Sequence, residues 1–233
     1  MRRKLTAALC ALCLTLSLAL PALAAEASFT DVSESDWFYA DVQKMVDLGL
    51  MGGVAGDRFS PYGQVNRGTV VTLLWRLEGS PDAGSESGFS DVDPAAWYAP
   101  AVAWAAAEGV ADGYDNGTFQ PEAAVSRETL AVFLYKYESY KGHALAEGVL
   151  ELYTDGGEVS GWAEDAMRHC VGAGLFTGSD GKLNPSRITT RCELAATVSR
   201  MLRPVAGGGA DPTLRPMDRR VFFDRRAANV NNP

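Results

Sequence analysis

Three stretches of this chain carry the same residues at the same offsets, and that repetition restricts the fold more than any other property of the sequence. Each stretch opens on an aromatic-x-Asp entry, Phe29-Thr30-Asp31, Phe89-Ser90-Asp91 and Tyr153-Thr154-Asp155. A Trp follows the Asp after six residues in the first two copies and seven in the third, at Trp37, Trp97 and Trp162. Twelve residues beyond each Trp stands a Gly, at Gly49, Gly109 and Gly174. Turn regions over residues 53–59, 113–119 and 178–183 are closed by Pro61, Pro121 and Pro185, and an Arg lies six residues past each Pro, at Arg67, Arg127 and Arg191. The Asp-to-Pro interval is thirty residues every time, whereas the copies are spaced by sixty and then sixty-four. Insertions therefore fall between units, in the turn-rich residues 79–88 and around residues 141–150.

Within a unit the pattern is helical. Trp97, Ala101, Val102 and Ala105 recur at three- and four-residue steps, and Glu108-Gly109 supplies a helix stop. Asp115-Asn116-Gly117-Thr118-Phe119 reads as a tight reversal, because Asn-Gly tolerates the backbone angles of a short turn. Pro121 then fixes an extended approach to a second helix that starts near Arg127 and runs through Leu130, Phe133, Leu134 and Tyr137. Each unit is helix, loop, helix, and the fold class is all-α. Ordering a residue costs roughly 1–2 kcal/mol while burial returns only ~25 cal/mol per Å², so one such pair of short helices is unstable alone. The three units are expected to share one core, with Trp37, Trp97 and Trp162 read as core anchors in preference to exposed sugar-stacking surfaces.

The two ends differ from this body. Arg2, Arg3 and Lys4 precede an apolar run over residues 5–20 and the small-x-small triplet Ala22-Leu23-Ala24, the pattern of an export signal cleaved after residue 24. Without those three cations the balance of 21 basic against 29 acidic residues becomes 18 against 29, a net charge of −11. Nucleic acid is excluded as an expected partner, since phosphate neutralisation needs clustered Lys and Arg. No membrane span is expected once the signal is removed. Residues 205–233, with Gly207-Gly208-Gly209 and scattered Pro and Arg, read as a disordered tail. Cys10 and Cys13 lie in the leader, and Cys170 and Cys192 are equally compatible with one disulfide or two buried thiols.

The Phe-x-Asp-Val entry, the Trp with an aromatic neighbour, the Asn-Gly-Thr-Phe-x-Pro turn and the Ser/Thr-Arg helix start resemble the S-layer homology domain, over three repeats at residues 28–80, 88–140 and 152–204. The resemblance implies a pseudo-threefold helical assembly around a central bundle. It also implies non-covalent attachment to a pyruvylated secondary cell-wall polysaccharide on peptidoglycan, by a secreted protein retained at the cell wall. A monomer without cofactor is expected. The family's Thr-Arg-Ala-Glu motif falls on Asn66-Arg67-Gly68-Thr69, Ser126-Arg127-Glu128-Thr129 and Thr190-Arg191-Cys192-Glu193. Only the third copy keeps the Glu, where Thr190 and Glu193 can form a reciprocal capping box. The third copy departs at Asp155-Gly156 and at Leu183, where the others carry Asp-Val and Phe.

A pyruvate ketal carries a carboxylate, and an Arg at a helix start offers it a planar fork beside unpaired backbone N–H groups at the positive end of the helix dipole. Arg67, Arg127 and Arg191 are therefore the leading candidate contacts. The competing reading pairs each Arg with a nearby acid, Asp31, Asp91 or Asp155, which are themselves candidate site residues. Gly113 is a further candidate for close backbone approach to a sugar, although turn geometry alone explains the turn glycines, and Trp97 is a candidate stacking surface.

An enzyme fits poorly: His143 and His169 do not recur between repeats, and no spacing suggests a triad or a metal site. Calcium binding by Asp112, Asp115 and Asn116 fails the twelve-residue loop pattern, so no metal is expected. The remaining alternative is a surface scaffold that recruits a partner through its tail.

Overall fold

The computed structural model describes residues 29–203. The expected export signal over residues 1–24 and the tail over residues 205–233 lie outside the described residues. Six α-helices carry the fold: α1 (Tyr39–Asp47), α2 (Arg67–Leu77), α3 (Ala99–Ala107), α4 (Arg127–Tyr140), α5 (Glu164–Gly172) and α6 (Arg191–Met201). Three single 3-10 turns precede α5, and among the described residues there is no extended strand. The protein is all-α, as the periodicity requires.

The ends of these helices follow from local sequence. Gly49, Gly109 and Gly174 all adopt positive φ, near +68°, just beyond the first helix of each repeat. There the Gly49 N–H donates to Val46 and the Leu50 N–H to Met45, and the same pair of bonds recurs at Gly109-Val110 and Gly174-Leu175. A residue with a Cβ would resist that left-handed turn, so the glycines end these helices. The second helices begin with the side chains of Asn66 and Ser126 accepting from the Thr69 and Thr129 N–H groups at 2.9 and 3.2 Å. In the third repeat Glu193 reaches back to the Thr190 N–H at 3.0 Å, completing the capping box read from the sequence.

No first helix packs along the second helix of its own repeat. Instead α3 lies along α2, α5 along α4 and α1 along α6, so each repeat hands its first helix to its neighbour and the third closes back on the first. Around the pseudo-threefold axis the segments before the second helices pair in a triangle. The Val65 N–H donates to Thr189, the Thr189 N–H to Val125 and the Val125 N–H to Val65, at 3.0, 2.8 and 2.9 Å. Val42, Leu74, Val102, Leu134, Met167 and Val198 come from all six helices into one continuous core. The closed ring explains why no repeat needs a core of its own.

Local departures between repeats are compensated across these interfaces. Gly68, where the other copies carry Glu128 and Cys192, leaves room for the Tyr98 ring, which would lie 3.1 Å from a Cβ placed there. Glu128 instead reaches into the third repeat and accepts from the Ser160 N–H and hydroxyl at 3.0 and 3.2 Å. Glu78 at the end of α2 accepts from the Tyr137 hydroxyl at 2.6 Å and the Lys141 ammonium at 3.0 Å, tying the first repeat to the second. Cys170 and Cys192 are both buried and unbridged, and burial raises both thiols above their ordinary range.

The three tryptophans do not anchor the core. Trp37, Trp97 and Trp162 are 62, 59 and 63% exposed, and the position each was expected to fill belongs to the next residue, Phe38, Tyr98 or Ala163. The rings of Trp37 and Trp97 stand edge-on to those of Phe38 and Tyr98, at 5.3 and 5.2 Å. A helix that starts just beyond the Trp turns its neighbour inward, which leaves the indole on the surface.

Candidate functional site

The conserved geometry of each repeat centres on one peptide unit. Asp31 accepts from the N–H groups of Phe59 and Ser60, both at 2.8 Å. Asp91 does the same for Phe119 and Gln120, and Asp155 for Leu183 and Asn184, all at 2.7 Å. Ser60, Gln120 and Asn184 each sit at positive φ, between 52 and 58°, immediately before the Pro. Asn tolerates that conformation, whereas Ser and Gln resist it, and the carboxylate clamp helps to hold all three there. Burial by itself would raise the Asp31 and Asp155 carboxyls, but their backbone N–H donors outweigh it and hold both below the usual range.

The Arg of the preceding repeat in the ring grips the same residue from its carbonyl side. Arg67 Nε donates to Phe119 O at 2.8 Å, Arg127 Nε to Leu183 O at 2.7 Å and Arg191 Nε to Phe59 O at 2.9 Å. Arg and Asp thus hold opposite ends of one residue, and no Arg of the three forms a salt bridge to Asp31, Asp91 or Asp155. The expectation of unpaired backbone donors at these helix starts is also corrected. The N–H groups of Arg67, Arg127 and Arg191 donate to Ala123, Arg187 and Gly63, and those of Gly68, Glu128 and Cys192 to Pro121, Pro185 and Pro61. Ring closure consumes the first two donors of every second helix, so these two N–H groups are not available to an anion.

The three guanidinium groups differ in what surrounds them. Arg67 is only 8% exposed: Nη2 donates to Asp112 O at 2.7 Å, and the rings of Phe119, Tyr114 and Phe133 lie 4.5, 5.0 and 5.1 Å away. Arg191 is half-buried, stacks on Phe59 at 4.6 Å and places Nη2 on Gly52 O at 2.6 Å. Arg127 is also half-buried and stacks on Phe176 at 4.6 Å. Phe176 here takes the place of the ring lost at Leu183. Among the described residues neither terminal nitrogen of Arg127 has a protein acceptor. Desolvation lowers the pKa of all three without removing their charge.

Arg127 opens into a groove of about 610 Å³ between repeats. Its walls bring together Lys182 from the third turn region, Arg187 just beyond Pro185, Arg200 from α6 and the exposed Trp37 of the first repeat. Glu193 is the one acid lining it, and it is paired with Arg187. A chain of formal charge −8 thus gathers four cations in one depression. At physiological salt the Debye length is ~8 Å, so this local cluster outweighs the remote acidic surface.

Of the residues singled out from the sequence, Arg127 lies in this groove, Arg67 is sealed and Arg191 reaches the first repeat's turn. Asp31, Asp91 and Asp155 are backbone clamps. Gly113 lies beneath the Phe89 ring, and a Cβ there would come within 2.6 Å of the Thr118 carbonyl oxygen. Trp97 is exposed but does not line the groove, where Trp37 stands instead. Lys182, Arg187 and Arg200 escaped sequence reasoning, although four cations between residues 182 and 200 against a single Glu form a local charge reversal that the sequence does show. Asp112, weighed as a calcium ligand, is paired with Lys136.

A closed ring of three helical repeats, each completed by its neighbours, defines a tandem-repeat helical protein. The chain belongs to the S-layer homology domain family, which matches at residues 28–71, 88–131 and 152–195. It is 30% identical over 196 residues to a surface-layer 125 kDa protein of Lysinibacillus sphaericus, covering 81% of this chain and 16% of that protein. It is 27% identical to an endoglucanase of Bacillus sp. (strain KSM-635) over 76% of this chain and 19% of the relative. It is 25% identical to the S-layer protein sap of Bacillus anthracis over 77% and 22%. The chain thus spans about a fifth of the length of these relatives. Membership places it at the bacterial cell surface. No helix among the described residues is long and apolar enough to cross a membrane.

Proposed function

We propose that this chain is a non-enzymatic anchoring module that holds to the bacterial wall by binding an anionic, pyruvylated secondary cell-wall polysaccharide on peptidoglycan, with the ketal carboxylate received at Arg127. The observation that carries the reading is the free end of the Arg127 guanidinium, facing a groove shared with Lys182, Arg187 and Arg200. Two parallel N–H donors match a carboxylate, and partial burial strengthens the charge-assisted bonds. The indole of Trp37 at the same groove offers a flat apolar surface to a sugar ring, the usual division of labour between aromatic lining and a few placed polar groups. That the same stretch is shared with S-layer proteins and with an endoglucanase supports attachment as its role, since a reaction would not be common to both.

The test is co-sedimentation with purified Gram-positive cell walls, before and after mild acid removal of the ketals. Retention on intact walls and its loss on stripped walls is the expected result. Equal retention on both would overturn the ketal as the recognised group.

A further inference from the structure

The three inter-repeat grooves are related by the pseudo-threefold axis, but the side chains around their arginines differ, and Tyr114 is the difference that lies nearest the solvent side of Arg67. Tyr114 in the second turn region corresponds to Val54 in the first and Ser179 in the third. Its ring lies 5.0 Å from the Arg67 guanidinium, which the Phe119 and Phe133 rings also approach, at 4.5 and 5.1 Å, whereas Arg127 and Arg191 are each stacked by one ring. The Lys136–Asp112 ion pair spans the same region. At the equivalent places of the open groove stand Arg200 and Thr177, which line it without such a pair. The Tyr114 ring is itself 45% exposed, so it lies as a cover between solvent and a cation that is 8% exposed.

We propose that Tyr114 is a plug that excludes ligand from the Arg67 groove, so that the chain has fewer binding sites than repeats. This rests on the reading of the grooves as sites for a ketal carboxylate. A ligand carboxylate reaching the N–H edge of Arg67 would have to displace the Tyr114 ring from its approach or leave its own charge unpaired beside it. A serine, as found at position 179, leaves the end of the guanidinium accessible at that place.

The experiment is calorimetric titration of the protein with a synthetic methyl glycoside bearing a 4,6-pyruvate ketal. The wild type is expected to bind no more than two equivalents. Tyr114→Ser should gain one further equivalent, and Tyr114→Phe, which keeps the ring, should match the wild type. Because Tyr114 is exposed, both variants are expected to keep the wild-type far-ultraviolet circular dichroism. Three equivalents bound by the wild type, or no gain in Tyr114→Ser, would overturn the plug while leaving the polysaccharide reading in place. No heat from any of the three proteins, together with equal retention on intact and ketal-stripped walls, would overturn that reading itself and the plug with it.

Discussion

Arg127 and Arg67 hold the same place in consecutive repeats: each is the first residue of a second helix, and each puts Nε on a carbonyl of the following repeat's turn. Beyond that shared bond they diverge. Arg67 spends Nη2 on Asp112 and is enclosed by three rings, while Arg127 keeps both terminal nitrogens for a groove lined by further cations. The motif itself therefore specifies a structural clasp between repeats. Whether the clasp also presents charge to a ligand is decided by the neighbouring repeat, through the residue at position 114 or 179 and through the ion pair at position 112. One residue type in one motif is a strut in the first case and a candidate contact in the second.

The largest effect is expected where the two grooves are alike. Asp155→Ala removes a buried carboxylate that satisfies two N–H groups and holds Asn184 at positive φ. At ~1.5–3 kcal/mol for a hydrogen bond to a charged group, the loss should be about 3 kcal/mol, read as a fall in the midpoint of urea unfolding. The folded Asp155 carboxyl lies below its unfolded value, so its stabilisation is complete above the ordinary Asp range and disappears as pH falls through the folded pKa. The gap between wild type and variant should accordingly narrow on acidification below that range. A gap that stays constant with pH would show that the carboxylate charge is not what holds the turn.

Next in size, and the direct attempt to break the comparison, is Arg67→Ala. The Phe119 and Asp112 carbonyls lose their donor in a covered site, which should cost about 2 kcal/mol of stability, while wall retention changes less than twofold. Arg127→Ala should behave in the opposite sense, weakening wall binding at least tenfold, about 1.4 kcal/mol, with helical circular dichroism unchanged. If Arg67→Ala reduces retention as much as Arg127→Ala does, the two grooves are functionally equal and the contrast drawn from their burial fails.

Much of the scaffold was legible because its signals are local. The glycines at 49, 109 and 174 end the first helices, the second helices start at Arg67, Arg127 and Arg191, and Thr190 with Glu193 forms the capping box, each fixed within a few residues. The closure of the ring was not legible in the same way. Nothing within four residues of Arg67 says that its own N–H will donate to Ala123, or that α2 will pack along α3 and not α1. The reading of the helix starts as unpaired donors failed for that reason: the partners arrive from another repeat. The tryptophans failed on a difference of one residue, since a large aromatic pair such as Trp37-Phe38 does not announce which member turns inward. The groove is the least local feature of all, because Trp37, Arg127 and Arg200 come from three different repeats.

The smallest expected effect separates the two grooves by their indoles. Trp37 lines the Arg127 groove, and the pseudo-threefold relation assigns Trp162 to the groove where Arg67 is covered. Both indoles are exposed to nearly the same degree, 62 and 63%, and Trp37 gives up only its edge contact with the Phe38 ring, so both Ala variants should unfold close to the wild-type midpoint. A sugar seated against Arg127 would bury one face of Trp37, and losing that face should weaken binding of the ketal glycoside about threefold, roughly 0.7 kcal/mol. Trp162→Ala should leave affinity unchanged in the wild-type background and should lower it only for the additional site opened in Tyr114→Ser. Equal losses from the two single substitutions would mean that ligand reaches both grooves, and that Tyr114 yields to it more readily than its packing over Arg67 implies.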